Sequence, residues 1–434
     1  MDKDRRDFLL NSARAGALAL GSTTLWQIAP AMGQSSKGRE LATMTIVELL
    51  RLLAGQKITS RQLVEQSLAA INDPQGEGSR AFLLVHEREA LAAADRVDAQ
   101  RRCGASMPAL AGIPISIKDL FDEAGVVTLG GSIALVGTPP ATRDSTVVER
   151  LKKAGAIIVG RTVRIPAALN GLVGFKPTAG RVPRDRVLPL SFTLDSIGPI
   201  AKTVADCALL DEILAAETSP SLKSAGLSSM RFAVPKTVFQ DDLSPAVAKA
   251  FSSALSRLSA AGAIIVELPM VEFAQAAVVN PRGILSGVEA YSWHRQWLKE
   301  RADKYDPRVL VRIRPGETVT AANYIELLRS RENFVRTIHS AASGYDAMLM
   351  PTTPDIAPTI AEVIKDDESY FRFNGRMLRN PSVVNLFDGC ALSVPCHDPG
   401  SAPVGMMIAG TQNTDRKILA IGLAVEEVVW KQRH

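Results

Sequence analysis

Apolar and polar positions change their period along this chain. Over residues 112–119 they alternate: Ile113, Ile115 and Ile117 fall on one side, and Pro114, Ser116 and Lys118 on the other, the two-residue period of a strand. Elsewhere the period is helical. Thr45 with Glu48, then Thr59 with Gln62, have capping-box spacing ahead of the stripes Leu49, Leu50, Leu52, Leu53 and Leu63, Val64, Leu68, Ile71. Gly55 ends the first helix, and a third helical run over 89–101 is rich in Ala, Asp and Arg, the composition of an outward-packed helix. Thr146 and Glu149 repeat the capping spacing before the stripe Val147, Val148, Leu151 and Ala154. Gly155 suits the position past that helix's end, and 156–159 is a buried strand. The unit recurs where Ser244 and Pro245 open a helix leading into the apolar run 263–266. Helices alternating with buried strands predict the α/β class, with a parallel or mixed sheet covered by helices.

Further along, Thr203 is placed to cap a helix that turns Cys207, Leu210, Ile213 and Leu214 inward, and 346–350 and 402–410 read as core strands. Between them, Gly125, Gly130, Gly131, Gly137 and the pair Pro139-Pro140 make 119–142 largely irregular. Tyr291, Trp293, Trp297, Tyr305 and Tyr324, among many arginines, are expected either to anchor surface helices or to shape a substrate funnel.

Composition narrows the class. The chain has 434 residues, 46% hydrophobic and 22% charged, enough for a large core in one α/β domain or two packed lobes. Its net charge of +5 comes from 50 basic and 45 acidic residues with no block of one sign, which argues against nucleic acid as a partner. Residues 1–31 have the order of a twin-arginine export signal: Arg5-Arg6, a short apolar stretch, then Ala29-Pro30-Ala31 as a cleavage site. That order implies a periplasmic protein, folded before export, with no stable membrane insertion once the signal is removed. Four cysteines and five histidines have no metal-type spacing, so no metal is expected. A bridge between Cys390 and Cys396 after export is left open by the sequence.

Lys118 closes its strand at the C-terminal end, where open α/β sheets place their ligands. Apolar walls disfavour a charged amine, so a lysine there can act as a base near neutral pH. The plain alternative is a strand-end Lys that reaches out to water.

The stretches that follow Lys118 carry a resemblance. They are Leu129-Gly130-Gly131-Ser132, Arg143-Asp144-Ser145-Thr146-Val147-Val148, Val159-Gly160-Arg161-Thr162, Arg164-Ile165-Pro166-Ala167-Ala168, Gly174-Phe175-Lys176-Pro177-Thr178, Asp195-Ser196-Ile197-Gly198-Pro199 and residues 388–397. Together they resemble the amidase signature family over nearly all of 32–434, with the signature core over about 105–215. The resemblance implies an α/β/α sandwich around a mixed β-sheet, a small-molecule amide substrate cleaved to a carboxylate and ammonia or an amine, and no cofactor. It makes Lys118 the base of the family's Ser-Ser-Lys set. In the family pattern a Gly-[Lys/Arg]-Thr strand end is followed by several dozen residues holding a relay serine, the nucleophilic serine and the oxyanion-hole glycines.

Here Thr162 runs straight into Val163 and Arg164, so the family domain is interrupted at 162/163 and its sheet is expected to be incomplete at the centre. Thr162 falls in register with the missing nucleophile, two residues before Arg164, itself a near-site position by that register. Without glycines beside it, Thr162 reads as a strand end ahead of a nucleophile. Gly130-Gly131-Ser132 resembles the nucleophile motif, but Ala134 stands where the family has Arg. The expected function is amide hydrolysis with activity impaired or lost. The alternative is a non-catalytic periplasmic binding or vestigial protein; a glutaminase component of a tRNA-dependent complex fits poorly with export.

Overall fold

The computed structural model describes residues 41–162, 167–217 and 221–430, and the export signal expected over 1–31 lies outside them. Described residues from Met44 onward form one compact unit. Its strands are β1 (Phe82–Val85), β2 (Pro114–Lys118), β3 (Ile157–Thr162), β4 (Val173–Lys176), β5 (Ile200–Ala201), β6 (Arg231–Pro235), β7 (Ile264–Leu268), β8 (Ala347–Pro351), β9 (Cys390–Pro395) and β10 (Gly405–Gly410). They make two sheets, ordered β1-β3-β2 and β5-β4-β9-β10-β8-β6-β7. Both are mixed: β3 is parallel to β2 and antiparallel to β1, while β6 is parallel to β7 and β8 and the β4-β9-β10-β8 run is antiparallel. Among the described residues no strand joins the two sheets. The division falls between Thr162 and Val173, across the 162/163 junction.

Alternation along the larger sheet builds a core on each face. Phe232, Val234, Leu349, Leu392, Val394, Met406 and Ile408 point to one side, where they meet residues of the helices Val204–Ala215, Pro245–Ala260 and Asp415–Val429. Their neighbours Ala233, Met348, Met350, Ala391, Met407 and Ala409 point to the other, against the helices Ala321–Ala342 and Asp367–Leu386. Two helical layers enclosing a mixed sheet make the α/β/α sandwich, and burial on both faces explains why β8 and β10 are unbroken apolar runs and β9 is broken only by Ser393.

Local rules place most helix starts. Thr45 and Thr59 each close a capping box, on Ile46–Ala54 and Ser60–Ile71, and Thr203 caps Val204–Ala215. The expected Thr146 cap is not formed. Ser145 holds the N-cap position without a side-chain cap bond, and the Thr146 hydroxyl donates instead to Asp185 Oδ2 at 2.7 Å. Thr146 is the first residue inside the helix, one position past the cap, so its hydroxyl is not placed to accept the N–H of the third residue. The helix Glu87–Arg102 is also less outward than its composition implies. It buries Ala90, Ala94 and Asp98, and Asp98 accepts the Ser60 and Arg61 N–H groups at 2.8 and 3.0 Å, capping the neighbouring helix from outside.

All four cysteines are thiols. Cys390 opens β9 and Cys396 follows its end, so about six residues of extended chain, on the order of 20 Å, separate them. A disulfide needs Cα atoms within about 7 Å, which rules out that pairing in this fold. Among the described residues no helix is long and apolar enough to cross a membrane.

Candidate active site

β2 and β3 run parallel, which brings their C-terminal ends together. Ile115 pairs with Ile158 but Ser116 pairs with Gly160, so Val159 is an extra residue that bulges from β3. Beyond the bulge Lys118 pairs with Thr162. On its other side β3 lies close to β1 at Gly160, where a Cβ would lie 2.4 Å from the Leu84 carbonyl oxygen. The two candidate positions are therefore adjacent across the ladder. Arg164 lies outside the described residues.

The turn after Lys118 is held by a buried ion pair. Arg161, 1% exposed, places Nε 3.1 Å from Asp119 Oδ1 and donates through Nη2 to the Phe121 carbonyl. Asp119 Oδ2 accepts the Gly131 N–H at 2.9 Å, and the Asp119 carbonyl accepts the Gly130 N–H at 2.8 Å. The Ser132 N–H goes to Leu129 O at 3.0 Å, and Ser132 Oγ accepts the Ala134 N–H at 3.2 Å. These amides are committed to the turn, so they do not form an oxyanion hole, and Ser132 caps the short helical turn Ile133–Leu135.

A second cluster holds the loop that follows. His86 Nε2 lies 2.9 Å from Glu123 Oε2, Lys152 Nζ lies 3.3 Å from Glu123 Oε1 and 3.0 Å from Asp144, and Asp144 accepts the Ala124 N–H at 2.8 Å. Burial pushes the Glu123 carboxyl up, but the His86 hydrogen bond and charge, with Lys152, outweigh it and its pKa is lowered.

From here a wall runs to the helical layer. Leu188 N–H donates to Leu120 O at 2.8 Å, and Val187 bridges Phe121. A few residues on, the loop is clamped to buried Glu289: the Ser191 and Thr193 hydroxyls donate to it, the Thr193 N–H at 3.1 Å, and Tyr324 Oη at 2.7 Å. Of the aromatic candidates, Tyr305 is buried with its hydroxyl 2.8 Å from His294 Nδ1. Burial holds His294 down to about 4 and pushes Tyr305 up to about 12, so both are neutral near pH 7. Sequence reasoning missed the Asp119–Arg161 pair and the Glu289 clamp. The only local signals were an Asp directly after Lys118 and a single Glu beside Ala290 on a buried helix face.

The amidase family model matches residues 62–163 and 162–419, two stretches that meet at the junction and share residues 162 and 163. A 2-amino-5-chloromuconic acid deaminase from Comamonas testosteroni is 28% identical over 455 aligned positions, covering 89% of this chain and 96% of that protein. An amidase from Pseudomonas putida is 28% identical over 465 positions, covering 91% and 98%. Both alignments are longer than the 434-residue chain, so these relatives carry residues with no counterpart here. A crystal structure of an amidase superposes with a TM-score of 0.78 at 26% identity, covering 89% of this chain and all of that one.

Proposed function

Because the chain belongs to the amidase family, we propose that it is a hydrolase of a small carboxamide whose turnover is impaired or lost, exported to the periplasm by the twin-arginine route. The observation that carries the impairment is the coincidence around 162/163, where the two family-matched stretches meet and beyond which the strands pass from one sheet to the other. In the family reaction Lys118 is the base that takes a serine proton through a relay hydroxyl. The serine oxygen attacks the amide carbon, backbone N–H groups hold the oxyanion, and water then releases the carboxylate. Here the strand ends supply the Lys118 position and Thr162, while the Gly130 and Gly131 amides are bound to Asp119. Loss of oxyanion donors alone lowers rates by about two to three orders of magnitude, and loss of a nucleophile by more.

The test is an assay of residues 32–434 on simple aliphatic and aryl amides. No measurable hydrolysis is expected. A Gly/Ser-rich segment from a relative, inserted between Thr162 and Val163, should bring turnover that Lys118→Ala removes. Hydrolysis by the unmodified protein that disappears in Thr162→Ala would make Thr162 the nucleophile and overturn the impairment. The second reading, a non-catalytic binding or vestigial protein, is favoured by the structural use of Ser132, Gly130 and Gly131. Under that reading the grafted protein stays inactive. Export is tested by fusing residues 1–40 to a folded reporter. Delivery that survives Arg5→Lys with Arg6→Lys would remove the twin-arginine route.

A further inference from the structure

Among the described residues one guanidinium keeps its recognition edge unsatisfied. Arg331 stands on the helix Ala321–Ala342 seven residues after Tyr324, which puts both on one face. Its Nε and Nη2 are buried, and neither has a hydrogen-bond partner. Those two nitrogens form the side-on edge of the group, whose parallel N–H bonds match the two oxygens of a carboxylate. Among the described residues, the other arginines with a buried, unpaired Nε or Nη2 have the second nitrogen of that edge engaged, as where Arg257 Nη2 donates to the Cys396 carbonyl at 3.4 Å and Arg161 Nη2 to the Phe121 carbonyl. Arg379 Nε already donates to Asn380 Oδ1 at 3.1 Å, and Arg161 Nε faces Asp119.

The acids near Arg331 do not close it. Glu289 and Asp388 are within its electrostatic reach, but both are engaged elsewhere. Glu289 accepts four hydrogen bonds from Ser191, Thr193 and Tyr324. Asp388 accepts the Ala179 N–H at 3.4 Å and Gln412 Nε2 at 2.9 Å. Behind them Lys176, within reach of the same guanidinium, donates to the Gly389 carbonyl at 2.7 Å and the Pro177 carbonyl at 3.0 Å. Burial lowers the pKa of both cations, so the charged forms of both are under-compensated. Arg331 as a whole is only partly buried, although its Nε and Nη2 are covered.

We propose that the Nε–Nη2 edge of Arg331, backed by Lys176, binds the carboxylate of a small molecule. The carboxylate belongs either to the amide substrate itself, which rests on the amide reading above, or to a free acid such as its product. The wall of Tyr324, Glu289 and the 187–195 loop connects this edge to Leu120, two residues from Lys118.

The test is isothermal titration of residues 32–434 with succinamate, succinate and succinamide. Succinamate is expected to bind at least about tenfold tighter than succinamide, since only the former offers a bidentate acceptor. Arg331→Lys, which keeps the charge and loses the fork, should remove most of that preference and leave succinamide binding as it was. Succinamate tighter than succinate assigns the site to an acidic amide; equal binding assigns it to a free acid. No preference over succinamide, or a preference that survives Arg331→Lys, overturns the site. Should that variant fail to fold, the selectivity of the unmodified protein decides alone. Binding is read without turnover, so an inactive protein tests the site as well as an active one.

Discussion

The two sheets of this molecule are supported very differently. In the seven-stranded sheet every residue of β8, β9 and β10 is buried, and successive side chains enter opposite helical layers. In the three-stranded sheet Ile157 and Val159 join a compact cluster with Val64, Leu68, Ile71, Ala90 and Ala94, and Ile117 and Ile158 are buried as well, but Leu83 and Leu84 of β1 are left 39% and 40% exposed. Scaffold and candidate chemistry are thus separated: the well-enclosed sheet carries no Lys118, and the sheet that ends on Lys118 stops where the family pattern is interrupted. A domain can keep its core and lose its reaction, because stability comes from buried area while catalysis needs a few groups in register.

The largest expected effect of that difference is in hydrogen exchange. Backbone amides of β9 and β10 should open only with the whole domain, while those of β1 and β2 should exchange through local opening, at least about a hundredfold faster. Equal protection in both sheets would erase the contrast. The next test removes the small sheet's internal tie. Arg161→Met leaves Asp119 buried without its counter-ion, and breaking such a pair costs about 3–5 kcal/mol. A loss below about 1 kcal/mol in denaturant melts would mean that the turn after Lys118 is held by other contacts.

A smaller contrast comes from matched truncations. Leu392, fully buried in β9, packs so closely under the helix Asp415–Val429 that a Cβ on Gly422 would meet it at 2.1 Å. Leu392→Ala should cost about 2–5 kcal/mol, and Leu84→Ala on β1 under about 1 kcal/mol. Similar losses at both sites would show that β1 is as well enclosed as β9.

The fold was legible wherever the determinant is local. Thr45, Thr59 and Thr203 cap as their spacing implies, because a cap bond closes within three residues. The alternation of Ile113, Ile115 and Ile117 marks a real strand for the same reason. Thr146 misled because the helix starts one residue earlier, on Ser145, which leaves the Thr146 hydroxyl free to donate to Asp185, 39 residues away. The site was less legible. Lys118 could be singled out by position, whereas Asp119–Arg161 and Ser191–Glu289 join residues 42 and 98 apart, distances over which periodicity carries no information. The open edge of Arg331 was invisible for a further reason. It is defined by acceptors that go elsewhere, and only the folded arrangement fixes where Glu289 and Asp388 spend their oxygens.

The two sheets should also answer pH with opposite signs. Beside the small sheet, the pKa of Glu123 is lowered by His86 and Lys152 against its burial; it therefore adds stability that is present above its unfolded value and lost as pH falls through its folded one. On the large-sheet side, burial pushes Glu426 up to about 7, with Asp206 and Glu427 adding to the rise and the Val204 N–H, 3.0 Å away, opposing it. Between about pH 4.5 and 7 the folded state therefore holds a proton that the unfolded chain has released. Stability contributed here falls as pH rises through that window, and above it the buried charge carries its full cost. Glu426→Gln keeps an acceptor for Val204 and removes the charge. It should stabilise the protein at pH 8 by on the order of 1–3 kcal/mol and change little below pH 4.5. Urea melts at the two pH values decide it: a gain of the same size at both would mean that the substitution acts through packing, and that the helical cover of the large sheet holds no charge defect.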